Sequence, residues 1–404
     1  MSDVVIVSAA RTPIGKFGGA LKSLTSVELG TIAAKAAIER AGISPKSVDQ
    51  AIFGNVLQAG SGQNVARQIA LRSGLDESSC AMTINEVCGS GLKAIRLAQS
   101  AICMGDAQVV VAGGTESMSN VPFYAQNVRF GGIRYGNSAL VDGLKKDGLC
   151  DAFTGKEMGV TAENVAAKFG ITREQQDAFA LKSHQKAVFA QNNGDFDAEI
   201  VPVQLADGTL ISRDEHPRAN TSMEKLAKLK TLFEADCDSR EADFGTKHSP
   251  TVTAGNASGI NDGAAALVLM SKDYAIAHGI DYLAEIVGFA EGGISPDLMG
   301  YAPKHVMERM LKNTGYTVEN IDLFEINEAF AAQSIAVCQQ LNISESKLNV
   351  RGGAIALGHP LGASGARILA TLLYALKDNH MQNGVAALCV GGGIGVSMQV
   401  RMRK

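Results

Sequence analysis

Two thiols, an imidazole and an amide stand at glycine-rich or strand-to-helix junctions of this 404-residue chain. Cys88 lies in Asn85-Glu-Val-Cys-Gly-Ser-Gly-Leu-Lys-Ala-Ile95, where a turn should open into a helix. Gly89 and Gly91 permit a tight backbone and leave the sulfur uncrowded. Leu92, Ile95, Leu97 and Ala98 give the helix a buried stripe. Its first turn presents unpaired N–H groups and a partial positive charge, which favour thiolate over thiol. A small residue packed at a helix start would look the same. The case for a nucleophile therefore rests on what stands downstream.

Gly352-Gly-Ala-Ile-Ala-Leu-Gly-His359-Pro-Leu-Gly-Ala-Ser-Gly365 is the most specific segment. Pro360 restricts the His359 backbone to extended geometry, and the glycines allow a ligand to approach closely. The other histidines (184, 216, 248, 278, 305 and 380) lie in charged surroundings and are expected to be solvated. Cys389 closes an apolar run before Gly391-Gly-Gly393, at the edge where α/β sheets build their sites. By composition alone it is a core residue. Asn327, in Glu325-Ile-Asn-Glu-Ala-Phe330, marks a strand giving way to a helix, and could simply cap that helix.

The elements that must position these groups form two series. Val4–Ala10 reads as a strand, Ser26–Ala41 as a helix, Val48–Val56 as a strand, Asn64–Gly74 as a helix, and Gln108–Ala112 as a strand. Such alternation predicts a mostly parallel sheet covered on both faces. From Asn120 the charges grow dense, and helices over Thr161–Phe169 and Arg173–Asn192, the latter capped by Thr172, suggest an insertion over the sheet domain. A second series begins near Ala284 and echoes the first. Cys88 follows Asn55 by 33 residues, and His359 follows Asn327 by 32. Gly89–Ala98 resembles Ser364–Ala370, and each copy ends in a strand and paired glycines. Two copies of one unit set face to face would bring the turns of Cys88 and His359 together.

The totals narrow the function. The length exceeds one ordinary core, and 46% hydrophobic against 19% charged residues excludes disorder. Forty-four glycines against nine prolines suit the many turns of an α/β fold. A net charge of −4 without aromatic-basic interleaving argues against nucleic acid. Cysteines 80, 88, 103, 150, 237, 338 and 389 are dispersed, with no C-x-x-C pair. They form neither a disulfide framework nor a zinc site and point to a reducing cytoplasm. The N-terminus reads as a strand rather than a signal peptide, no apolar run is long enough for a membrane span, and Met402-Arg-Lys404 is not a peroxisomal tripeptide.

Taken together, the Cys88 segment, Asn327-Glu-Ala-Phe330, Gly358-His359-Pro360 and Cys389-Val-Gly-Gly-Gly393 resemble the thiolases, acetyl-CoA C-acetyltransferases in particular. Val4-Val-Ile-Val-Ser-Ala-Ala-Arg-Thr-Pro-Ile-Gly15, Gly113-Gly-Thr-Glu-Ser-Met-Ser119 and Thr253-Ala-Gly-Asn-Ala-Ser-Gly259 extend the resemblance over essentially the whole chain. It implies an α/β thiolase fold: two similar βαβ-rich halves in α/β/α/β/α layers, residues 1–119 with 250–271 and residues 272–404, plus a CoA-binding loop domain at 120–249. The implied reaction is reversible condensation of two acetyl-CoA to acetoacetyl-CoA and CoA. Cys88 resembles the acylated nucleophile and His359 its base, with Nε2–H later holding a thioester oxygen. Cys389 resembles the thiol that moves the Cα proton, and Asn327 the residue that fixes a water beside His359. The N–H groups of Cys88 and Gly391 would form a second oxyanion hole. No metal or redox cofactor is implied, and the assembly would be a homotetramer.

The resemblance also assigns Leu149, Met158, Arg218, Phe233, Ala254, Ser258, Met299, Ala329 and Phe330 to CoA. Two departures stand out: Glu157, where bacterial biosynthetic members often have His, and Lys225, where they have Ser. Residues 234–243 are longer than usual and rich in acid, which suggests a surface excursion and leaves Phe244 as an alternative to Phe233. Lys225, Lys228 and Lys230 form either a solvated cationic face or an attraction for CoA phosphates; Arg218 is the better candidate for the nucleotide end. The nearest rival is a degradative 3-ketoacyl-CoA thiolase acting on longer chains. A ketoacyl synthase would replace the second Cys with His or Asn, and an idle acyl-CoA or lipid carrier would be expected to lose site residues.

Overall fold

The computed structural model describes residues 3–132, 135–233 and 249–403. The first series gives β1 (Val4–Arg11), β2 (Gly15–Lys16), α1 (Ser26–Arg40), β3 (Gln50–Gly54), α2 (Val65–Arg72), β4 (Cys80–Ile84), α3 (Ser90–Met104) and β5 (Val109–Ser117). The intervening stretch contributes β6 (Phe123–Tyr124), β7 (Val141–Asp142), α4 (Met158–Phe169), α5 (Arg173–Asn193), β8 (Val203–Gln204), β9 (Leu210–Ile211) and α6 (Met223–Ala227). The chain returns through β10 (Asn261–Ser271) and α7 (Lys272–Ala277). The second series is β11 (Ala284–Gly293), α8 (Ala302–Thr314), β12 (Leu323–Ile326), α9 (Ala331–Leu341), α10 (Ala354–Leu357), α11 (Ser364–Asp378), β13 (Asn383–Val390) and β14 (Ile394–Met402).

The strands order as β12-β13-β14-β11-β1-β10-β5-β3-β4, and within this sheet the two halves are joined by the short β1–β11 pairing, Val5↔Glu285 and Ile6↔Ala284. Five layers result. α3 and α11 pack between the halves in one core with Leu267, Leu269, Leu388 and Met398. α1 and α2 cover the outer face of the first half, and α8 and α9 that of the second. The mostly parallel sheet expected from the alternation is not what forms. Only β3–β4, β3–β5 and β12–β13 run parallel. A parallel neighbour needs a right-handed crossover, whereas β10 returns after the long insertion and enters antiparallel between β1 and β5. The second half closes with the tight β13–β14 hairpin, also antiparallel.

The expected pairing of the two halves does form. A Cβ on Gly91 would lie 2.7 Å from Ala366 N, and one on Gly365 would lie 2.3 Å from Leu92 N. The equivalent glycines of α3 and α11 thus let two helix backbones touch. β5 runs to Ser117 rather than stopping at Ala112, because Gly113 and Gly114 are strand residues pressed against Ala265 O and Gly362 O. α4 starts at Met158, a turn earlier than expected, since Gly159 accommodates the Phe233 ring rather than breaking the helix. The insertion's α4 and α5 rest mainly on α9, α10 and the 296–301 turn of the second half, not over the first sheet. Thr172 caps α5 as expected, with Gln175 completing a capping box. Residues 234–243, Phe244 and His248 lie outside the described residues.

Candidate active site

Cys88 sits in a turn under backbone strain. Val87 adopts φ +47°, rare for a β-branched residue. The turn is locked by Ser90, whose Oγ accepts from Glu86 N at 2.8 Å and donates to Val87 O at 2.7 Å. α3 starts at Ser90, so the thiol lies just outside the helix, packed with Val56, Leu57, Met118, Leu144 and Leu361. Its electrostatics differ from the expectation of a ready thiolate. Burial pushes the thiol up, to about 11; the N–H groups of Gly391 and Cys88 itself pull the other way, and Glu116 adds to the rise. Desolvation outweighs the helix start.

His359 lies five residues before α11, not at its first turn. Gly358 at φ +108° passes against the Asn261 side chain, which accepts from His359 N at 3.0 Å. Ser364 Oγ donates to Pro360 O at 2.9 Å. With its proton committed there, Oγ accepts from Nδ1–H of His359 at 2.6 Å. That fixes the tautomer and puts the ring's lone pair on Nε2. Burial, with Arg367 adding to it, drives His359 down to about 3, so the ring is neutral near pH 7. Asn327 Nδ2 stands 3.4 Å from Nε2, and Asn327 N is fixed by Ala387 O at 2.9 Å. Asn327 does not cap α9, whose N-cap is Phe330 and whose first turn begins at Ala331.

Cys389, at the end of β13, is fully buried beside Met299 and Ala329. Its Sγ lies 3.4 Å from Gln333 Oε1. Burial and the neighbouring Cys88 both push this thiol up. Glu116 stitches the halves beneath the site. Its carboxylate accepts from Asn55 Nδ2, Val56 N and Leu57 N of the first half and from Gly362 N, three residues past His359, at 2.7–3.1 Å. Burial raises it to about 7 against these donors.

Cys88, His359, Cys389 and Gly391 line one cleft of about 510 Å³, in the range of small-molecule sites. All nine expected CoA residues line it too. Leu149, Met158, Arg218 and Phe233 enter from the insertion, Ala254 and Ser258 from the loop before β10, and Met299, Ala329 and Phe330 from the second half. The Phe233 ring packs against Gly159, whose Cβ would lie 2.1 Å from the ring. Ser258 N donates to Ala329 O at 2.9 Å, joining two of these walls. Glu157 lines the rim and pairs with Lys145. Lys225 instead points to Asn220 O at 2.7 Å and Lys228 pairs with Glu224, so this stretch is a solvated face outside the cleft.

Lys16, Met118, His216 and Ile260 also line the cleft and escaped sequence reasoning. His216 could have been found, because residues two apart on an extended segment share a face, and Arg218 was already placed there. Neither His216 nor His184 is solvated as expected. They stack at 6.3 Å, and burial lowers each to about 4. The charged composition of α5 conceals a face covered by Gly352, whose Cβ would meet Ser183 O at 2.6 Å.

Residues 4–273 match the family model described as thiolase, N-terminal domain, and residues 280–402 that described as thiolase, C-terminal domain. The chain belongs to the thiolase family. It is 49% identical over 407 residues to the acetyl-CoA acetyltransferase of Cupriavidus necator, covering 100% of both chains. It is 48% identical over 408 residues to a probable acetyl-CoA acyltransferase of Staphylococcus aureus strain COL, again covering 100% of both. Among solved structures, Bacillus anthracis acetyl-CoA acetyltransferase matches at 42% identity and TM-score 0.94, over 100% of this chain and 99% of that one. Human mitochondrial 3-ketoacyl-CoA thiolase in complex with CoA matches at 41% and 0.93, over 100% and 98%. This thiolase is accordingly an enzyme of that family with its fold. No helix among the described residues is long and apolar enough to cross a membrane.

Proposed function

We propose that this thiolase condenses two acetyl-CoA to acetoacetyl-CoA and CoA, reversibly, through acetyl-Cys88. The observation that carries the reading is that Cys88 and Cys389 line one cleft with a neutral His359 whose lone pair is on Nε2, facing the Asn327 amide. In the first half, Nε2 takes the Cys88 proton as sulfur attacks the acetyl carbonyl, and the tetrahedral oxyanion sits on the N–H groups of Cys88 and Gly391. Pre-aimed donors of this kind contribute about 3 kcal/mol each. The C–S bond to CoA then breaks, and the proton on His359 goes to the departing sulfur. Covalent catalysis thereby divides one hard step into two.

In the second half, Cys389 cedes its proton to His359 and then removes one from the methyl carbon of a second acetyl-CoA. The enolate oxygen rests on Nε2–H and on the water that Asn327 fixes beside it, and the new C–C bond expels Cys88 sulfur, which takes the proton from His359. Both thiols and the imidazole return to their starting states. The steps use side chains and backbone N–H groups, with no metal or redox cofactor.

Residues 120–249 act in this reading as the CoA-gripping loop domain between halves 1–119 with 250–271 and 272–404. Leu149, Met158 and Phe233 receive the pantetheine, and Arg218 the nucleotide end. Exposed Phe123, Phe130 and Leu140 in the same stretch, and the one-sided edge of β4, support assembly into a homotetramer. The six described cysteines are free thiols, in keeping with a cytoplasmic enzyme. Acetyl-CoA supplied alone should yield CoA and acetoacetyl-CoA in equal amounts. Absence of both products from a folded protein would overturn the proposal.

A further inference from the structure

Beneath the Asn327–His359 pair lies a second pair that touches neither the cleft nor solvent. Glu325 lies on β12 and Asn327 one residue past its end, where Asn327 N still donates to Ala387 O, so the two side chains share a face. Arg367 follows Ser364, the Nδ1 partner of His359, by three residues on α11, so these share a face of the helix. α11 packs on β12, and across that contact Arg367 Nη1 meets Glu325 Oε2 at 3.6 Å with each side chain 2% exposed. The ion pair joins β12 to α11, and the Asn327–His359 contact joins the segments just past that strand and just before that helix.

We infer that Glu325 and Arg367 are positioning residues that set the separation of Asn327 from His359 Nε2. The inference rests on the proposed function, since it concerns the hole that reading assigns to the enolate. Neither charge has an alternative anchor. Among the described residues, no nitrogen of Arg367 and neither oxygen of Glu325 has a hydrogen-bond partner. The surrounding charges, Glu199, Arg351, Arg11, Asp214 and Glu328, are engaged elsewhere. Arg11 holds Asp214 at 2.7 Å and also Glu199, Arg351 pairs with Asp378, and Glu328 accepts from Ser183 and Asn349. Burial drives the Glu325 carboxyl up and the Arg367 guanidinium down, and each is the main influence restoring the other's charge. Removing one partner leaves an uncompensated buried charge that must relax by moving, whereas replacing both leaves none. The elements free to move are β12, whose end leads directly into Asn327, and α11, whose Ser364 supports His359.

Glu325→Gln, Arg367→Met and the double variant test this, with wild-type acetylation by acetyl-CoA followed in parallel by intact mass. Each single variant should lose condensation kcat by roughly 10- to 100-fold, while KM for acetyl-CoA stays within about three-fold, because neither residue lines the cleft. The double variant should recover most of the lost kcat. Isosteric Glu325→Gln keeps the packing if Arg367→Met does not fold. Wild-type kcat in folded Glu325→Gln would overturn the inference. So would KM rising as much as kcat falls, or a double variant no faster than the slower single variant. Failure of wild type to acetylate would instead sink the proposed function and leave no kcat to compare.

Discussion

Ser364→Ala tests how His359 is made a base. The hydroxyl accepts from Nδ1–H at 2.6 Å while donating to Pro360 O at 2.9 Å, and both partners are buried. Alanine leaves Nδ1–H facing nothing. An unpaired buried donor costs roughly 1–3 kcal/mol, and that penalty falls on the tautomer the mechanism needs. The proton moves to Nε2, where it blocks the lone pair that should receive the Cys88 proton. At 1.4 kcal/mol per factor of ten, acylation should slow by roughly 5- to 150-fold. The assay is the rate of mass gain on mixing with acetyl-CoA, with circular dichroism to confirm folding. Ser364→Thr keeps the hydroxyl and should acylate close to the wild-type rate. If folded Ser364→Ala acylates as fast as wild type, the hydroxyl does not select the tautomer and the argument fails.

Three further outcomes follow from the same geometry. With the thiol pushed up to about 11, four units above pH 7, roughly one Cys88 in ten thousand is ionised there. The thiolate absorbance near 240 nm that distinguishes wild type from Cys88→Ala should therefore appear only above about pH 10; a full signal at pH 7 would restore the ready thiolate expected from the helix start. Gly365→Ala sets a methyl 2.3 Å from Leu92 N, backbone that cannot yield without separating α3 from α11, and overpacking of about 1–3 kcal/mol or more should lower the melting temperature. Unchanged melting would show the halves are not held so closely. Glu163 accepts from Thr251 N and Oγ1 at 2.7 Å and from Val252 N at 2.6 Å, fixing the start of the loop that carries Ala254 and Ser258. Glu163→Ala should raise KM for acetyl-CoA while leaving kcat within a few fold, and a fall in kcat at constant KM would contradict that role.

What was legible in the sequence was whatever a short segment encodes by itself. The turns around Cys88 and His359 were readable because only glycine-rich backbone fits them, and the helix read over Ser26–Ala41, which forms over Ser26–Arg40, because its apolar period is local. The repeat interval also foretold the meeting of α3 and α11. The direction of β10 was not legible, since it depends on where an insertion of some 130 residues returns the chain. Nor was the protonation state of Cys88. The helix start is written in Gly89-Ser-Gly91, but the residues that desolvate the sulfur come from Val56, Met118, Leu144 and Leu361, far apart in the chain. His216 and His184 were misjudged for the same reason, because local charge says nothing of a distant segment laid over it.

The division of labour between the two thiols is the centre of the account, and the Cys389→Ala variant treated with acetyl-CoA tests it most directly. In the proposed reading Cys88 takes the acyl group, whereas Cys389, on the opposite half at the end of β13, only moves protons. Intact-mass spectrometry should therefore show Cys389→Ala acetylated on Cys88 and exchanging that acetyl group with free CoA. Condensation should fall by the roughly 10²–10⁴ of a lost general base, and Cys88→Ala should show no acetylation at all. A folded Cys389→Ala protein that cannot be acetylated, or one that condenses acetyl-CoA as fast as wild type, would contradict the account.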